Sequence, residues 1–340
     1  MSLPEILYCP GTLSKGFDTY SPTCLKRMFG GKKVSHILPY HPPEVSEEDA
    51  EKFQQNRKRL SISGVQEKVS LLLDKDGLRL TEEGEQGTYI LKPIPRDLQK
   101  ADQVPANEHL TMQIARQLYG IETAECALIF FRNGDPAYLT RRFDVGEDSV
   151  KIGTEDFATL AGKTAETEGP DFKYKGSYEE MAGLIDTYLP AAMVEKEKFF
   201  SLVLFNYLFS NGDAHLKNYS VIETGQGDHK LSPAYDLVNT RLHVDDSPLA
   251  LRDGLFKGDY YTESYEANGF YAYDDFHAFG LRIGLLESRV ENQLRHMLSH
   301  EEEVRSMTRH SFLSDDMKKA YLEAYREKHK ALAYSMAGRI

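Results

Sequence analysis

The chain has 340 residues, 41% of them hydrophobic, with a formal net charge of −12 and a mean hydropathy of −0.50. Its length favours two packed domains over one. Its acidic balance argues against a protein that binds nucleic acid unaided, because neutralising phosphates requires clustered Lys and Arg. The three cysteines favour a reducing compartment. The sequence has neither a signal-peptide pattern nor an apolar run of membrane-spanning length.

The first part of the chain predicts antiparallel strands and a single helix. Alternation and short apolar runs predict the strands, which are separated by polar turns and by Pro93. The helical pattern begins near Pro105 and stops at Gly120. The predicted elements are, in chain order, a strand pair in residues 61–74, a second pair in 78–95, the helix in 105–120, and strands in 124–131 and 137–144.

Beyond residue 144 the pattern becomes mainly helical, with two short strand-like pieces. A tyrosine-rich stretch, residues 259–276, predicts an amphipathic surface loop or a contact for a partner. The sequence therefore predicts an α+β fold with two lobes, β-rich over residues 1–144 and mainly helical over 145–340, which is the outline of a protein-kinase-like fold. The helical segments are residues 177–189, 191–209, 285–307 and 314–336, and the strand-like pieces are 219–223 and 230–236.

The motif NGDAHLKN, residues 211–218, follows the most apolar helical segment. It places Asp213 and Asn218 with four residues between them, the spacing at which protein kinases hold a catalytic Asp and a metal-binding Asn. Phosphoryl transfer needs a carboxylate that orients the attacking hydroxyl and ligands for a metal ion. A helix end followed by a turn explains the same residues, because Asn, Gly and Asp all favour turns.

Three further side chains complete this pattern. Asp236 follows a short strand in SPAYDLV and, together with Asn218, would suffice for Mg²⁺, which takes one or two carboxylates beside phosphate oxygens. Lys92 ends the apolar strand TYILK, and Glu108 on the next helix would orient it toward phosphates. Each has a structural alternative: a strand-end Asp that caps a turn, a snorkelling Lys, and a helix-start Glu stabilised by the helix dipole.

The stretch SISGVQEK, residues 61–68, has the position of a turn that covers phosphates. Taken alone it favours an ordinary hairpin, because it contains one glycine rather than a glycine-rich loop. The order of the parts favours the chemical interpretation. On a chain that is first β-rich and then helical, the parts occur in the order expected of a kinase: the phosphate turn, the strand Lys, the helix Glu, the linker, the Asp/Asn loop and the strand Asp.

These motifs resemble the HipA family of bacterial serine/threonine kinase toxins, and most closely its short HipT-like branch. SISGVQEK resembles the family's Ser-Ile-x-Gly-x-Gln-x-Lys loop, and ILKP and NEH resemble its Lys strand and Glu helix. LTRRFD resembles its hinge, while NGDAHLKNYSV and SPAYDLV resemble its catalytic loop and metal-Asp segment. The resemblance covers most of the chain from about Leu60 onward.

The resemblance implies a role for each matching residue. Asp213 would be the catalytic base, and Asn218 and Asp236 would be catalytic residues that hold Mg²⁺. Lys92, oriented by Glu108, would contact the phosphates of ATP. The remaining nucleotide-binding residues would be Ser63, Gly64, Val65, Gln66, Glu67 and Lys68 over the phosphates, Arg141 and Phe143 at the hinge, and His215, Tyr235 and Asp236 lining the site.

The resemblance also implies regulation and partners. Members of the family autophosphorylate a loop serine, which Ser61 matches, and HipT-like members carry a second one, which Ser63 matches. The expected substrate is a serine of an aminoacyl-tRNA synthetase. The expected partners are a helix-turn-helix antitoxin, through which alone the chain would reach DNA, and a small protein equivalent to the N-terminal subdomain of longer HipA proteins. The expected location is the bacterial cytoplasm, or a host cell after secretion, with no membrane association.

Two other functions fit the pattern. A non-catalytic binding module would keep the fold and serve antitoxin assembly or repression. The presence of Lys92, Asp213, Asn218 and Asp236 argues against that function. The second is a kinase of a small molecule, and retention of Ser61 in the loop favours protein substrates over it.

Overall fold

The computed structural model of the protein describes residues 5–42, 67–75, 77–96, 98–146 and 149–339. The chain forms two compact units, neither of which is continuous in sequence. The sequence analysis placed one boundary between residues 144 and 145, and that boundary stays a prediction. The first unit comprises Met1–Gln113, Ala124–Lys151 and Ser306–Lys318, and the second comprises Ile114–Thr123, Ile152–Arg305 and Lys319–Ile340.

The first unit is built on a five-stranded antiparallel sheet with the strand order β2-β1-β3-β5-β4. Its core-facing side chains include Val69, Leu91 and Leu139, which lie side by side in the sheet register and are fully buried. Burial of one face explains the alternation seen in the sequence. The strands are β1 Val69–Leu73, β2 Leu78–Leu80, β3 Tyr89–Lys92, β4 Cys126–Phe130 and β5 Pro136–Arg141.

Two helices accompany this sheet in the chain. Helix α1, Pro22–Phe29, begins at Ser21, whose side chain accepts a hydrogen bond from the Cys24 backbone, and ends at Gly30 in a left-handed conformation. The sequence pattern did not indicate α1, because eight residues carry little periodic signal. Helix α2, Val104–Gln117, corresponds to the predicted helix that carries Glu108.

The second unit is mainly helical. Its central helix α6, Ala192–Leu208, buries Phe199, Phe200, Leu204 and Phe205 completely. The remaining helices that belong wholly or partly to this unit are α3 Phe157–Leu160, α4 Ala165–Glu168, α5 Tyr178–Tyr188, α7 Glu263–Asn268, α8 Tyr273–Arg282, α9 Glu287–Leu298, α10 Glu301–His310 and α11 Asp315–Leu332.

A small antiparallel sheet carries the functional segments of this unit. It consists of β6 Thr154–Asp156, β7 Ser220–Glu223 and β8 His229–Leu231, in that order. The predicted strand-like pieces correspond to β7 and β8, whereas β6 was missed because three polar residues carry no strand pattern.

The predicted mixture of antiparallel sheet and helices is confirmed, with two differences in detail. The tyrosine-rich stretch forms α7 and α8 rather than a loop, because Thr262 caps α7 and Asp275 accepts hydrogen bonds from the neighbouring backbone and hydroxyls. The predicted helix over residues 285–307 is divided into α9 and α10 near Ser299. None of the described helices is long and apolar enough to cross a membrane.

Candidate active site

In the first unit, Lys92 and Glu108 form a buried ion pair. Lys92 is the last residue of β3, which lies between β1 and β5 and holds it opposite Tyr138. Its Nζ lies 2.6 Å from Oε1 of Glu108 on α2, and each side chain is only 4% exposed. The ammonium also lies 5.2 Å from the centre of the Tyr138 ring.

This pairing excludes the snorkelling interpretation of Lys92. A snorkelling lysine would keep its ammonium in water, whereas this ammonium is buried on a carboxylate. Burying two charges is expensive even when they are paired, so such a pair is weak support for stability and stronger support for a role of the charges themselves. The sequence-predicted contact between strand and helix is therefore present in the structure.

The other residues predicted in the first unit are partly described. Glu67 lies 3.5 Å from Arg96 in an exposed ion pair, and Lys68 is half-buried. Arg141, at the end of β5, donates to the backbone oxygen of Arg27, and Phe143 is half-buried. The predicted loop residues Ser61, Ser63, Gly64, Val65 and Gln66 lie outside the described residues.

In the second unit, the loop that follows α6 is held by a buried pair of asparagines. Nδ2 of Asn211 donates to Oδ1 of Asn206 at 2.9 Å, and Nδ2 of Asn206 donates to the Tyr219 hydroxyl at 3.0 Å. Both asparagines are at most 4% exposed. Oδ1 of Asn211 accepts from the backbone nitrogen of Asp213 at 3.4 Å. The last turn of the helix therefore positions the loop through hydrogen bonds inside the protein.

Gly212 lies too close to its neighbours to accept a side chain. Its backbone nitrogen donates to Oγ1 of Thr240 at 2.9 Å. A Cβ at this position would lie 2.3 Å from Oδ2 of Asp246 and 2.6 Å from the backbone oxygen of Ser247. The glycine in NGDAHLKN is therefore explained by the close approach of another chain segment, not by a turn alone.

Asp213 and Asn218 lie on one turn. Nδ2 of Asn218 donates to the backbone oxygen of Asp213 at 2.8 Å. The Asp213 side chain is 47% exposed, and its Oδ1 accepts from the Tyr174 hydroxyl at 2.6 Å. Nε2 of His215 lies 3.7 Å from the same oxygen. An exposed carboxylate on a backbone fixed from within is suited to meet a reacting group from solution.

Asp236 has a backbone conformation that is uncommon for a residue other than glycine. Its φ is +56°, in the left-handed region that a non-glycine residue rarely adopts. Nδ2 of Asn211 donates to its backbone oxygen at 3.4 Å, which connects the Asp236 segment to the loop of Asp213. The preceding Tyr235 donates from its hydroxyl to the backbone oxygen of Lys217 at 2.9 Å. The two predicted motifs are thus bound to each other.

The chemistry of Asn218 and Asp236 fits a hard cation such as Mg²⁺. The amide nitrogen of Asn218 is used by the Asp213 backbone, and no donor among the described residues engages its amide oxygen. Asp236, the second predicted ligand, supplies a carboxylate, and its backbone is hydrogen-bonded to Asn211 at the start of the same loop. Amide and carboxylate oxygens are the ligands that Mg²⁺ takes in proteins, usually with water and phosphate oxygens completing the shell.

His215 is neutral at physiological pH. Burial lowers its pKa from 6.5 to about 4, and the nearby Asp213 carboxylate opposes this shift only in part. Its contact with Asp213 is therefore not an ion pair at pH 7. A neutral ring contributes a flat apolar surface and one hydrogen-bond donor, which suits a residue that lines a site without adding charge.

The sequence analysis missed three residues of this site: Tyr174, Asn206 and Tyr219. Asn206 and Tyr219 lie close to NGDAHLKN in the chain, and a polar residue within the apolar run of residues 202–209 was a signal that could have found Asn206. Tyr174 lies 39 residues before Asp213 and belongs to no motif, so nothing in the sequence indicated it.

We predict that Gly212→Ala destabilises the second unit by about 1–3 kcal/mol, because the added methyl group overlaps Asp246 and Ser247. Urea unfolding measures this loss. The matched control is Gly225→Ala, where a Cβ would meet nothing within 4 Å. Equal stability of the two variants would contradict the close approach described for Gly212.

We predict that the lowered pKa of His215 makes the protein less stable in mild acid. The unfolded histidine binds a proton near pH 6.5 and the folded one only near pH 4, so stability falls as the pH drops below about 6.5 and levels off below about 4. Between pH 7 and pH 5 this contribution amounts to about 2 kcal/mol.

Urea unfolding of the wild type and His215→Gln at both pH values measures this contribution. The variant should lose about 2 kcal/mol less than the wild type. His229→Gln, which changes an exposed histidine on β8, serves as the control and should behave as the wild type does. Identical losses for the wild type and His215→Gln would show that the ring titrates normally in the folded protein.

Comparison with known proteins places these features in a family. The family model of the HipA-like C-terminal domain matches residues 60–304. A protein of Haemophilus influenzae named "Putative kinase" is 27% identical over 96% of this chain and 96% of its own length. The serine/threonine-protein kinase toxin HipA of Shewanella oneidensis is 28% identical over 63% of this chain, and the match spans about half of that protein, 49%.

A solved structure supports the fold. A chain of the Shewanella oneidensis complex of HipA, HipB and operator DNA superposes with a TM-score of 0.61 and 21% identity, over 86% of this chain and 72% of that chain. At this identity the likeness shows the fold alone. Since the family model covers the Lys strand, the Glu helix and both Asp segments, the chain belongs to the family of the HipA-like C-terminal domain, a family of HipA-like kinases.

Proposed function

We propose that the protein is a serine/threonine protein kinase that transfers the γ-phosphate of Mg-ATP to a protein hydroxyl, as the toxin of a toxin–antitoxin system. The observation that carries this proposal is the turn from Asp213 to Asn218. There the Asn218 amide donates to the backbone oxygen of Asp213, and the side chain of Asn211 accepts from the Asp213 backbone nitrogen, so the residue with the exposed carboxylate and the residue with the metal-type amide are held on one turn. A residue that merely capped a helix would need neither that connection nor the strained Asp236.

Each residue has one task in this mechanism. Asp213 accepts the hydrogen bond of the acceptor hydroxyl and takes its proton as the oxygen attacks the γ-phosphorus. The bond from that phosphorus to the β-phosphate oxygen breaks, and ADP leaves with the electron pair. Lys92, held by Glu108, neutralises phosphate charge. Bound Mg²⁺, held by Asn218 and Asp236, would supply further neutralisation of the phosphates.

The other predicted residues have proposed roles in binding the nucleotide. His215 is neutral and buried, so it can line a nucleotide site without competing with Mg²⁺ for the phosphates. The Tyr235 hydroxyl donates a hydrogen bond to the backbone oxygen of Lys217, which belongs to the NGDAHLKN loop. We assign Glu67 and Lys68, together with Ser63, Gly64, Val65 and Gln66, to the phosphate loop, and Arg141 and Phe143 to the adenine side.

A solved structure of a similar protein supports the proposed antitoxin and DNA partners. The structurally similar protein forms a complex with HipB and operator DNA. We propose that this chain likewise binds an antitoxin and reaches DNA only through it, which agrees with its net charge of −12. We further propose an aminoacyl-tRNA synthetase as the substrate, a small protein in place of the N-terminal subdomain of longer HipA proteins, and action in the cytoplasm.

Nucleotide binding has a direct test. We predict that excess Mg-ATP raises the melting temperature of the dephosphorylated protein, because a ligand at about 100 times its Kd stabilises the folded state by about 2.7 kcal/mol. Asp236→Ala should abolish most of this rise, since it removes a proposed metal ligand. The control is Asp259→Ala, which changes an exposed aspartate of the same unit. A full rise with Asp236→Ala would remove that residue from the site.

Phosphoryl transfer to the chain itself has a separate test. We predict that Mg-ATP adds phosphate to Ser61, Ser63 or both, and that Asp213→Ala abolishes the addition while it retains the Mg-ATP-dependent rise in melting temperature. Intact mass and phosphopeptide mapping measure the result. A phosphoserine brings about two negative charges, which beside the phosphates of ATP would weaken nucleotide binding. Phosphate added at the same rate to purified Asp213→Ala would contradict the assignment of Asp213 as the catalytic base.

A further inference from the structure

One oxygen of the proposed base is held by a tyrosine from a distant segment. The Tyr174 hydroxyl lies 2.6 Å from Oδ1 of Asp213. Nε2 of His215 lies 3.7 Å from the same oxygen. Both contacts therefore fall on Oδ1, and no donor among the described residues is bonded to Oδ2. The carboxylate is 47% exposed, so Oδ2 can accept a hydrogen bond from an incoming group.

Tyr174 is held in its position by a backbone contact and a ring contact, and an ion pair of the neighbouring Asp171 joins the same two segments. It ends a 3₁₀ turn, Phe172–Tyr174, and its backbone oxygen accepts from the backbone nitrogen of Arg252 at 2.9 Å. An ion pair between Arg252 and Asp171, at 2.7 Å, ties the start of the same turn to the same segment. The ring packs edge-on against His215 with a centroid distance of 5.1 Å. This hydroxyl therefore belongs to a defined part of the structure.

The chemistry of Tyr174 and Asp213 suits a hydroxyl that remains protonated and hydrogen-bonded to the carboxylate. A phenol donating to a carboxylate forms a charge-assisted hydrogen bond, stronger than one between neutral groups. Burial raises the pKa of Tyr174, and the Asp213 carboxylate raises it further, so the hydroxyl keeps its proton at neutral pH. A base that is oriented by a third group is the arrangement on which activated nucleophiles commonly depend.

We propose that Tyr174 is a positioning residue for phosphoryl transfer, holding Oδ1 of Asp213 so that Oδ2 receives the hydroxyl of the acceptor. This inference rests on the proposed function. It assigns a role to the segment around residues 171–176, which no motif in the sequence indicated. Tyr174 does not touch the reacting atoms. Its effect passes through the carboxylate, and it should appear in the rate of transfer rather than in the binding of ATP.

The contact between Tyr174 and Asp213 has a second interpretation, in which the hydroxyl slows phosphoryl transfer instead of supporting it. A phenol at 2.6 Å from the base stands in the same relation to it as an acceptor hydroxyl would. If Tyr174 occupied the acceptor's place, it would inhibit the enzyme, and its removal would accelerate transfer. The anchored turn and the unused Oδ2 favour the positioning role, because the acceptor then needs no displacement of protein groups.

The test measures autophosphorylation of the full chain after phosphatase treatment, as the single-turnover rate at saturating Mg-ATP. Tyr174→Phe keeps the ring against His215 and removes only the hydroxyl. We expect the rate to fall about tenfold or more, since a hydrogen bond to a charged group contributes about 1.5–3 kcal/mol. The ATP concentration at half-maximal rate should change less than about twofold, and so should the Mg-ATP-dependent rise in melting temperature.

Two further variants complete the design. Tyr188→Phe changes an exposed tyrosine whose hydroxyl donates to the backbone oxygen of Leu160; it controls for the loss of a phenol and should match the wild type. In an Asp213→Asn background, Tyr174→Phe should have no additional effect on the residual rate, because the two side chains act as one unit. A purely structural role of Tyr174 would give additive losses and a lower melting temperature instead.

The outcomes separate this inference from the proposed function. If the wild type adds no phosphate, the proposed function fails. If the wild type is active and Tyr174→Phe is equally active, the positioning role is refuted. If Tyr174→Phe is faster than the wild type, the hydroxyl competes with the acceptor and the proposal is likewise overturned. Only a slower variant with unchanged nucleotide affinity supports it.

Discussion

The hydrogen bond between the buried side chains of Asn206 and Asn211 is the interaction on which the candidate site of the second unit depends. The C-terminal end of helix α6, residues 203–208, is buried throughout and mainly apolar, so this end is fixed by the core. Amides without partners at this depth would destabilise the unit. In the Asn206–Asn211 pair these amide groups have hydrogen-bond partners. Asn211 also bonds to the backbone of Asp213 and of Asp236, and so orders both segments. A polar loop thereby acquires the rigidity of the core.

The first unit differs from the second because its candidate site residues are buried charges. Lys92 and Glu108 are nearly inaccessible, and their pairing offsets a desolvation that neither would tolerate alone. A hydrophobic pair of the same volume would stabilise a sheet and helix at least as well. The ammonium is therefore best explained by chemistry that requires a fixed positive charge. The rest of the described sheet, with Val69, Leu91 and Leu139 buried side by side, serves as the support for it.

The sequence predicted what depends on local pattern and missed what depends on distance. Strands β1, β3, β4 and β5 and helix α6 follow from periodicity over a few residues. Asp213 and Asn218 were found because their spacing is set by one turn. The need for Gly212 to be a glycine comes from Asp246, and the partner of the Asp213 carboxylate comes from Tyr174. Neither contact is indicated by hydrophobic periodicity or by the spacing of a motif, since the partners are distant in sequence and meet only in the folded chain.

The exposure of Asp213 on an otherwise rigid loop is what an enzyme requires and what a binding module does not need. The most direct test of phosphoryl transfer measures both products of one reaction: ADP released and phosphoserine plus phosphothreonine formed, after phosphatase treatment, for the wild type and Asp213→Asn. The account predicts equal amounts of both with the wild type, and neither with Asp213→Asn despite retained Mg-ATP binding. A wild type that binds Mg-ATP but forms neither product would contradict it.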